Sequence, residues 1–269
     1  MGESKQLRRA VTQWRLRSRA LELGRKTLVM GIVNITPDSF SDGGSFLDSQ
    51  AAITHALGLL DEGADLLDLG AESTRPGARV AGEAAAVSSD EELARLLPVL
   101  SGILKSRPEA ILSVDTYKAE TARAALKAGA EIINDVSGFR WDPELAAGCA
   151  EAGCGVVLMH TRGRPDEWGT QPQLAPNALL ETVRAGLEMC MKKAAAAGIA
   201  AESIVLDPGY GFGKLAVRDS AKRFGFNGCY WFLGRNGHCV SFLLVIARCS
   251  APVADALPRA RTRVPPADG

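Results

Sequence analysis

The sequence lacks the features that would assign it to a membrane, a nucleic acid or an oxidising compartment. No apolar run approaches the ~20 residues that a transmembrane helix needs. The 31 basic and 31 acidic residues balance, so no overall field favours nucleic acid or an anionic membrane surface. The six cysteines form no paired CxxC framework, which favours reduced thiols over disulfides or a metal site. We therefore predict a cytoplasmic protein without nucleic-acid or membrane partners.

The first 26 residues are basic, with eight Lys or Arg and only two Glu. A transit peptide is one interpretation of such a segment. The alternative rests on alternation: Trp14 and Leu16, then Leu21 and Leu23, are separated by single residues that are mostly polar. That pattern favours a small hairpin below the main domain. We predict an N-terminal arm and hairpin over residues 1–26.

Residues 27–214 alternate six apolar strands with loops and amphipathic helices, the helix after the sixth strand falling beyond residue 214. Such alternation predicts a parallel sheet, and polar motifs at the strand ends favour a closed (β/α)8 TIM barrel, for which ~250 residues is typical. The strands are predicted at residues 28–35, 66–70, 110–115, 131–136, 155–160 and 204–207. The helices are predicted at 49–62, 90–106, 119–128 and 178–197, together with one that has Pro143 near its first turn. Asp90 is the predicted N-cap of the second helix, and Pro98 should kink it.

The last part of the chain departs from this pattern. Residues 215–269 must supply a final helix and two more units, for which 55 residues are barely enough. They carry eight basic and three acidic residues, only 240–247 predict a strand, and 258–269 have a disordered composition. We expect the barrel to be incomplete or irregular after the sixth strand, and 215–269 to be divergent, frameshifted or partly disordered.

The first strand runs into a polar loop within MGIVNITPDSFSDGG, residues 30–44. Pro37 cannot donate to a sheet ladder and Gly43 and Gly44 allow positive φ, so the strand must end there. Polar side chains at the carboxyl end of a barrel strand are typical of an active site. The alternative is an ordinary turn with solvated polar residues.

This segment resembles the opening signature of the dihydropteroate synthase family. Five further segments resemble the same family in its order: LGAESTRPG at 69–77, SVDTYK at 113–118, INDVSG at 133–138, VVLMH at 156–160 and DPGYGFGK at 207–214. The resemblance covers about residues 14–214. It implies a pterin-binding TIM barrel of folate biosynthesis that joins 6-hydroxymethyl-7,8-dihydropterin pyrophosphate to p-aminobenzoate and releases pyrophosphate. Sulfonamides, which mimic p-aminobenzoate, are expected to bind a competent site.

The resemblance also implies which residues hold the pterin: Asp115, Asn134, Met159, Asp207, Phe212 and Lys214, of which Asp115, Asp207 and Lys214 are the catalytic candidates. A carboxylate can accept the paired N–H groups of an aminopyrimidinone, and an amide both donates and accepts. Asp115 and Asp207 could also stabilise positive charge as the C–O bond breaks. The alternatives are capping or salt-bridge roles for the polar residues and an ordinary core role for Met159.

The resemblance further implies that two loops carry the residues that bind pyrophosphate and p-aminobenzoate. These residues are Thr36, Asp38, Phe40, Ser41, Thr74, Arg75 and Pro76. Arg75 can grip phosphate bidentately, although an ordinary surface arginine is the alternative. Asn34 resembles the residue whose oxygen contacts Mg²⁺. Because one neutral oxygen cannot hold Mg²⁺ alone, we expect the ion only with substrate bound.

Two family motifs have no match, a Ser-Arg-Lys after the seventh strand and an Arg-x-His near the eighth. Their loss leaves a second hypothesis, an inactive truncated or frameshifted pterin-binding remnant. A third is a pterin-dependent methyltransferase, but SFSDGG and ESTRPG argue against it because that chemistry positions no aniline. The resemblance implies a homodimer formed through late-chain helices, which fall in the divergent segment.

Overall fold

The computed structural model describes residues 11–35, 45–72, 87–172, 174–209, 212–214, 231–233 and 239–241. Its first element is an antiparallel hairpin of β1 (Thr12–Arg15) and β2 (Ala20–Leu23), in which Trp14 pairs with Leu21. The indole Nε1 of Trp14 donates to the carbonyl oxygen of Ser203 over 3.0 Å. The predicted hairpin is therefore present and is fixed to the end of the barrel where the strands begin.

Six parallel strands form the main sheet, and each strand pairs with the next one along the chain. They are β3 (Met30–Asn34), β4 (Leu66–Gly70), β5 (Leu112–Asp115), β6 (Ile132–Asp135), β7 (Gly155–Met159) and β8 (Ile204–Asp207). Chain-order pairing of parallel strands with intervening helices is the arrangement of a (β/α)8 barrel. The α/β class and the incomplete barrel are thereby confirmed.

In the described part of the chain, five helices alternate with these strands: α1 (Ser45–Asp61), α2 (Ser89–Ser106), α3 (Ala119–Ala128), α4 (Leu145–Ala152) and α5 (Pro176–Ala196). The bounds of α3 are as predicted, and Gly129 ends it with φ 115°. The predicted cap at Asp90 is wrong, because Ser88 is the extended residue whose side chain accepts from the Glu91 N–H. Helix α2 runs without interruption across Pro98.

The strands separate two apolar layers because successive side chains point to opposite faces. Val33, Leu67, Leu69 and their equivalents in other strands pack against the helices. On the other face, Met30, Leu66, Ile132, Val157 and Val205 pack together with the hairpin residues Trp14, Leu16 and Leu23. The hairpin thus closes the barrel interior from below.

Two short strands, β9 (Trp231–Leu233) and β10 (Cys239–Ser241), form an antiparallel pair in the late part of the chain. They pair with each other and not with the main sheet, and β10 lies beside β3. The strand predicted at 240–247 therefore overlaps β10 at its start, while 242–247 and 258–269 lie outside the described residues. Among the helices of the described ranges, none combines the length and apolarity needed to cross a bilayer.

Candidate active site

The carboxyl ends of the strands bring together five of the residues singled out in the sequence. Each lies two or four positions beyond an apolar residue of the inward-facing layer, and so faces the barrel interior: Asn34, Asp115, Asn134, Met159 and Asp207. Asp115 is in register with Asn134, and Met159 with Asp207. The apolar interior layer forms the floor beneath them. The structure thus places these side chains around one cup.

Asp115 lies on the wall of this cup in an unfavourable setting for a charge. Burial raises the pKa of its carboxyl group well above the usual range, and the negative charges of Asp68, Glu92, Asp135 and Glu72 raise it further. Its neighbour in the preceding strand, β4, is Gly70, which has no side chain to cover it. A cation or a set of N–H donors in the cup would therefore stabilise the ionised form.

Asp68 is a site residue that the sequence motifs missed. It is 3 % exposed in the middle of β4, and its Oδ2 accepts from the Asn134 Nδ2 over 2.8 Å. Burial raises the pKa of Asp68, while the Ser113 hydroxyl and the Asn134 amide lower it. One signal could have found it: a single carboxylate inside the apolar run Leu66–Gly70.

Asp207 opens a tight loop that folds back over the end of β7. Its Oδ1 accepts from the Gly209 N–H over 2.7 Å. Burial raises the pKa of Asp207, and the Gly209 N–H and the positive charge of Lys214 lower it. Gly209 has φ 60°, and a Cβ there would overlap the carbonyl oxygen of His160. Only glycine fits this position without strain.

Lys214 closes the same loop from inside. Its side chain is 2 % exposed, and Nζ donates to three carbonyl oxygens, those of His160 at 2.8 Å, Gly209 at 2.5 Å and Phe212 at 3.3 Å. Burial lowers the pKa of Lys214 to about 7, although the carboxylate of Asp207 opposes this shift. Because an ammonium has three N–H donors, these contacts use all of them.

Phe212 is half-buried and meets the ring of Trp168 edge to face, with the ring centroids 5.1 Å apart. Trp168 in turn donates through Nε1 to the Thr161 hydroxyl over 3.1 Å. This pair fixes the outer wall of the loop. The sequence predicted Phe212 as a pterin contact but gave no reason to select Trp168.

A buried ionic group lies at the base of the second loop. Lys118 Nζ lies 2.6 Å from Oε2 of Glu72 and 2.8 Å from Oε2 of Glu92. The Thr121 hydroxyl also donates to Glu92, over 3.0 Å. Glu72 is the last described residue before 73–86, so this group anchors the point where that segment leaves β4.

The remaining predicted site residues lie outside the described residues: Thr36, Asp38, Phe40, Ser41, Thr74, Arg75 and Pro76. The two segments that carry them leave the sheet side by side, because the Ile35 N–H donates to the Gly70 carbonyl over 2.7 Å. Their predicted contacts with pyrophosphate and p-aminobenzoate stay predictions.

The described part of the chain contains no group of three His, Cys, Asp or Glu side chains able to hold a metal ion. Asn34 is partly exposed at the end of β3, and its amide offers a neutral oxygen. Oxygen donors suit Mg²⁺, which keeps several waters and substrate phosphates in its shell. The amide oxygen of Asn34 therefore fits a magnesium site that waters and substrate phosphates complete, but not a site built from protein ligands alone.

Comparisons with known proteins agree with this geometry. The family model described as pterin binding enzyme matches residues 30–222. Dihydropteroate synthase of Bacillus subtilis (strain 168) is 46 % identical over 195 residues, which are 72 % of this chain and 63 % of the relative. The chain thus spans less than two thirds of the length of that relative.

Solved structures give the same result. Xanthomonas albilineans dihydropteroate synthase with 4-aminobenzoic acid has a TM-score of 0.66 and 40 % identity, covering 80 % of this chain and 74 % of that one. The same organism's enzyme in complex with 7,8-dihydropteroate has a TM-score of 0.63 and 38 % identity, covering 78 % and 72 %. The chain therefore belongs to the pterin binding enzyme family.

Proposed function

We propose that this protein is a dihydropteroate synthase, which condenses 6-hydroxymethyl-7,8-dihydropterin pyrophosphate with p-aminobenzoate to give 7,8-dihydropteroate and pyrophosphate. The observation that carries the proposal is the placement of Asp115, Asn134 and Asp207 on the inward face of three strands, above an apolar floor. The bound 4-aminobenzoic acid and 7,8-dihydropteroate of the X. albilineans structures support the same substrates here.

The pterin fits the chemistry of this cup. The carboxylates of Asp115 and Asp207 can accept the ring N–H groups, and Asn134 can both donate and accept. Met159 is 3 % exposed at the end of β7, and a thioether suits an aromatic face. We assign Phe212 to the same ring, as part of the wall that it forms with Trp168.

The reaction breaks the bond between the pterin methylene carbon and the pyrophosphate oxygen. The p-aminobenzoate nitrogen then forms the new C–N bond and loses a proton. Positive charge develops on the methylene carbon as the old bond breaks, and the two carboxylates of Asp115 and Asp207 would stabilise it electrostatically. Burial strengthens this effect because the surroundings screen charge weakly.

The pyrophosphate and p-aminobenzoate contacts are proposed for residues of the two loops that begin after Ile35 and Glu72: Thr36, Asp38, Phe40, Ser41, Thr74, Arg75 and Pro76. Support comes from the adjacency of the two loop origins at the mouth of the cup. Asn34 would contribute one oxygen to Mg²⁺, which, when bound with substrate, neutralises charge on the departing pyrophosphate. The three carbonyl contacts of Lys214 support a contribution through the loop that shapes the pterin pocket.

Three described cysteines, Cys149, Cys154 and Cys190, are buried and free, which supports the proposed cytoplasmic location. The homodimer that the sequence resemblance implies is part of the same proposal. Size-exclusion chromatography with light scattering tests it, and a monomer at micromolar concentration would contradict it.

A turnover assay with the pterin pyrophosphate, p-aminobenzoate and Mg²⁺ tests the activity. We expect dihydropteroate from the wild type and a loss of about two orders of magnitude or more in kcat/KM for Asp115→Asn and Asp207→Asn, because each removes a charge next to the reacting carbon. Glu151→Gln, on the exposed face of α4, is the matched control and should retain activity. Pterin binding without product would favour the remnant hypothesis, and absence of both would contradict the proposed function.

A further inference from the structure

We propose that Asp68 is a positioning residue that orients the side-chain amide of Asn134 for the pterin; this rests on the proposed function. The motifs of the sequence do not include Asp68. It contributes no atom to the rim of the cup and lies one layer below it.

The strand pairing fixes this position. Asp68 is in register with Ile32 of β3 and with Ser113 of β5, so it belongs to the inward-facing layer beneath Asp115 and Asn134. That layer is otherwise apolar apart from Ser113. A carboxylate at this depth loses its hydration, and burying it costs free energy unless its partners compensate.

The contact with Asn134 explains what the carboxylate does. Oδ2 of Asp68 accepts from Nδ2 of Asn134 over 2.8 Å. An ionised carboxylate only accepts hydrogen bonds, so the amide nitrogen must face Asp68. The amide oxygen Oδ1 and the second N–H of Asn134 are then left to meet a ligand. Without Asp68, the amide could rotate and present either group.

The second oxygen of Asp68 is less well compensated for its burial than the first. Within the described ranges, neither Oδ1 of Asp68 nor Oγ of Ser113 has a partner at full hydrogen-bond geometry, although the Ser113 hydroxyl lies near enough to lower the pKa of Asp68. A buried polar atom without a partner destabilises the fold, and an apolar residue of similar size would avoid that cost. The oxygen with the well-formed hydrogen bond is the one that holds Asn134.

Asp68 also acts on the neighbouring catalytic candidate. Burial is the main cause of the raised pKa of Asp115, and the negative charge of Asp68 is the next largest. Replacement of Asp68 by a neutral residue should therefore lower the pKa of Asp115 as well as release Asn134. The two consequences separate in experiments, because an isosteric amide keeps the acceptor and removes the charge.

The test compares Asp68→Asn with Asp68→Leu by isothermal titration with 6-hydroxymethyl-7,8-dihydropterin pyrophosphate and Mg²⁺. Asparagine can still accept from Asn134 through its own Oδ1, so its Kd should stay within about threefold of wild type. Leucine removes the acceptor and should raise Kd by about tenfold or more. The KM for p-aminobenzoate should stay unchanged in both variants. Glu151→Gln, on the exposed face of α4, is the control and should leave Kd unchanged.

A double-mutant cycle with Asn134→Ala separates positioning from general damage. If Asp68 acts through Asn134, Asp68→Leu should add nothing to the loss caused by Asn134→Ala. Additive losses, or tight pterin binding by Asp68→Leu, would overturn the proposal. Equal losses in the asparagine and leucine variants would overturn it in favour of a role for charge. Asp68→Ala replaces the leucine variant in the cycle if the latter does not fold. Absence of pterin binding by the wild type would defeat the proposed function itself, and with it this inference.

Discussion

Lys118 Nζ lies 2.6 Å from the carboxylate oxygen Oε2 of Glu72, and the same ammonium also meets Glu92 at 2.8 Å. The side chains of Glu72 and Glu92 are 6 % and 1 % exposed, so one buried cation holds two buried anions. The aromatic ring of Tyr117 adds a cation–π contact, with Nζ 5.1 Å from the ring centroid. The segment that follows β4, helix α2 and the start of α3 are joined at this point.

We expect Lys118→Met to destabilise the protein strongly. Removal of one partner from a buried ion pair costs about 3–5 kcal/mol, because the remaining charges stay buried without compensation. Urea unfolding followed by circular dichroism measures the change. Lys105→Met, on the exposed face of the neighbouring helix, is the matched control and should change the free energy of unfolding by less than about 0.5 kcal/mol. Equal urea midpoints for the two variants would show that the buried ion pairs of Lys118 do not stabilise the fold.

Lys214→Met tests whether this lysine acts through the loop that follows β8. The methionine leaves the carbonyls of His160, Gly209 and Phe212 without their shared donor, which should lower the free energy of unfolding by about 2–3 kcal/mol. We expect the KM for the pterin to rise, because Asp207 and Phe212 lie on the same loop. A fall in kcat with unchanged stability and KM would instead support direct contact between Lys214 and the reacting groups.

Gly209→Ala should be more damaging than the same change at Gly198. Both glycines have positive φ, 60° and 87°, so each alanine meets a backbone penalty of about 1–2 kcal/mol. A Cβ at Gly209 would overlap the His160 carbonyl and lie 2.8 Å from Cγ of Met159, whereas nothing lies within 4 Å of one at Gly198. The difference between the two variants in thermal melting therefore measures the packing of the loop against β7. Equal melting temperatures would contradict that packing.

The elements that the sequence predicts best are those with a simple local signal. Strands β4 and β8 have the predicted bounds because each is an apolar run with a polar or glycine end. Helix α3 is right at both ends because Gly129 supplies the left-handed residue that ends it. The start of α2 was wrong because Ser88, like Asp90, is a good capping residue. The choice depends on which one the incoming chain holds in an extended conformation.

The residues of the candidate site likewise divide into those that a sequence motif indicates and those that it does not. The rim of the site was predictable, since family motifs place Asp115, Asn134 and Asp207 at strand ends, and alternation along each strand turns them inward. Asp68 was missed because it sits inside a strand rather than in the loop motif that follows. The carbonyl contacts of Lys214 come from two separate segments, so no local pattern could predict them. They depend on how the loop after β8 packs against the end of β7.

Because of His160, we expect the free energy of unfolding to decrease as the pH falls. His160 is 4 % exposed, and burial, with the positive charges of Lys214, Arg140 and Arg162, lowers its pKa to about 3. An unfolded histidine takes up a proton near pH 6.5. Between about pH 6.5 and pH 3, the unfolded chain therefore binds one more proton at this residue than the native protein. Its contribution to stability is complete above pH 6.5 and falls as the pH falls, by up to about 1.4 kcal/mol per pH unit.

The buried aspartates act in the opposite direction, so a variant is needed to isolate His160. Asp68, Asp115, Asp135 and Asp207 have raised pKa values, and stability from them falls as the pH rises above about 4. His160→Gln should leave their contribution in place and flatten the loss of stability between pH 6.5 and pH 4, measured by urea unfolding at intervals of pH. His55→Gln, on the exposed side of α1, should leave the profile unchanged. Parallel profiles for wild type and His160→Gln would mean that the native protein accepts this proton without penalty.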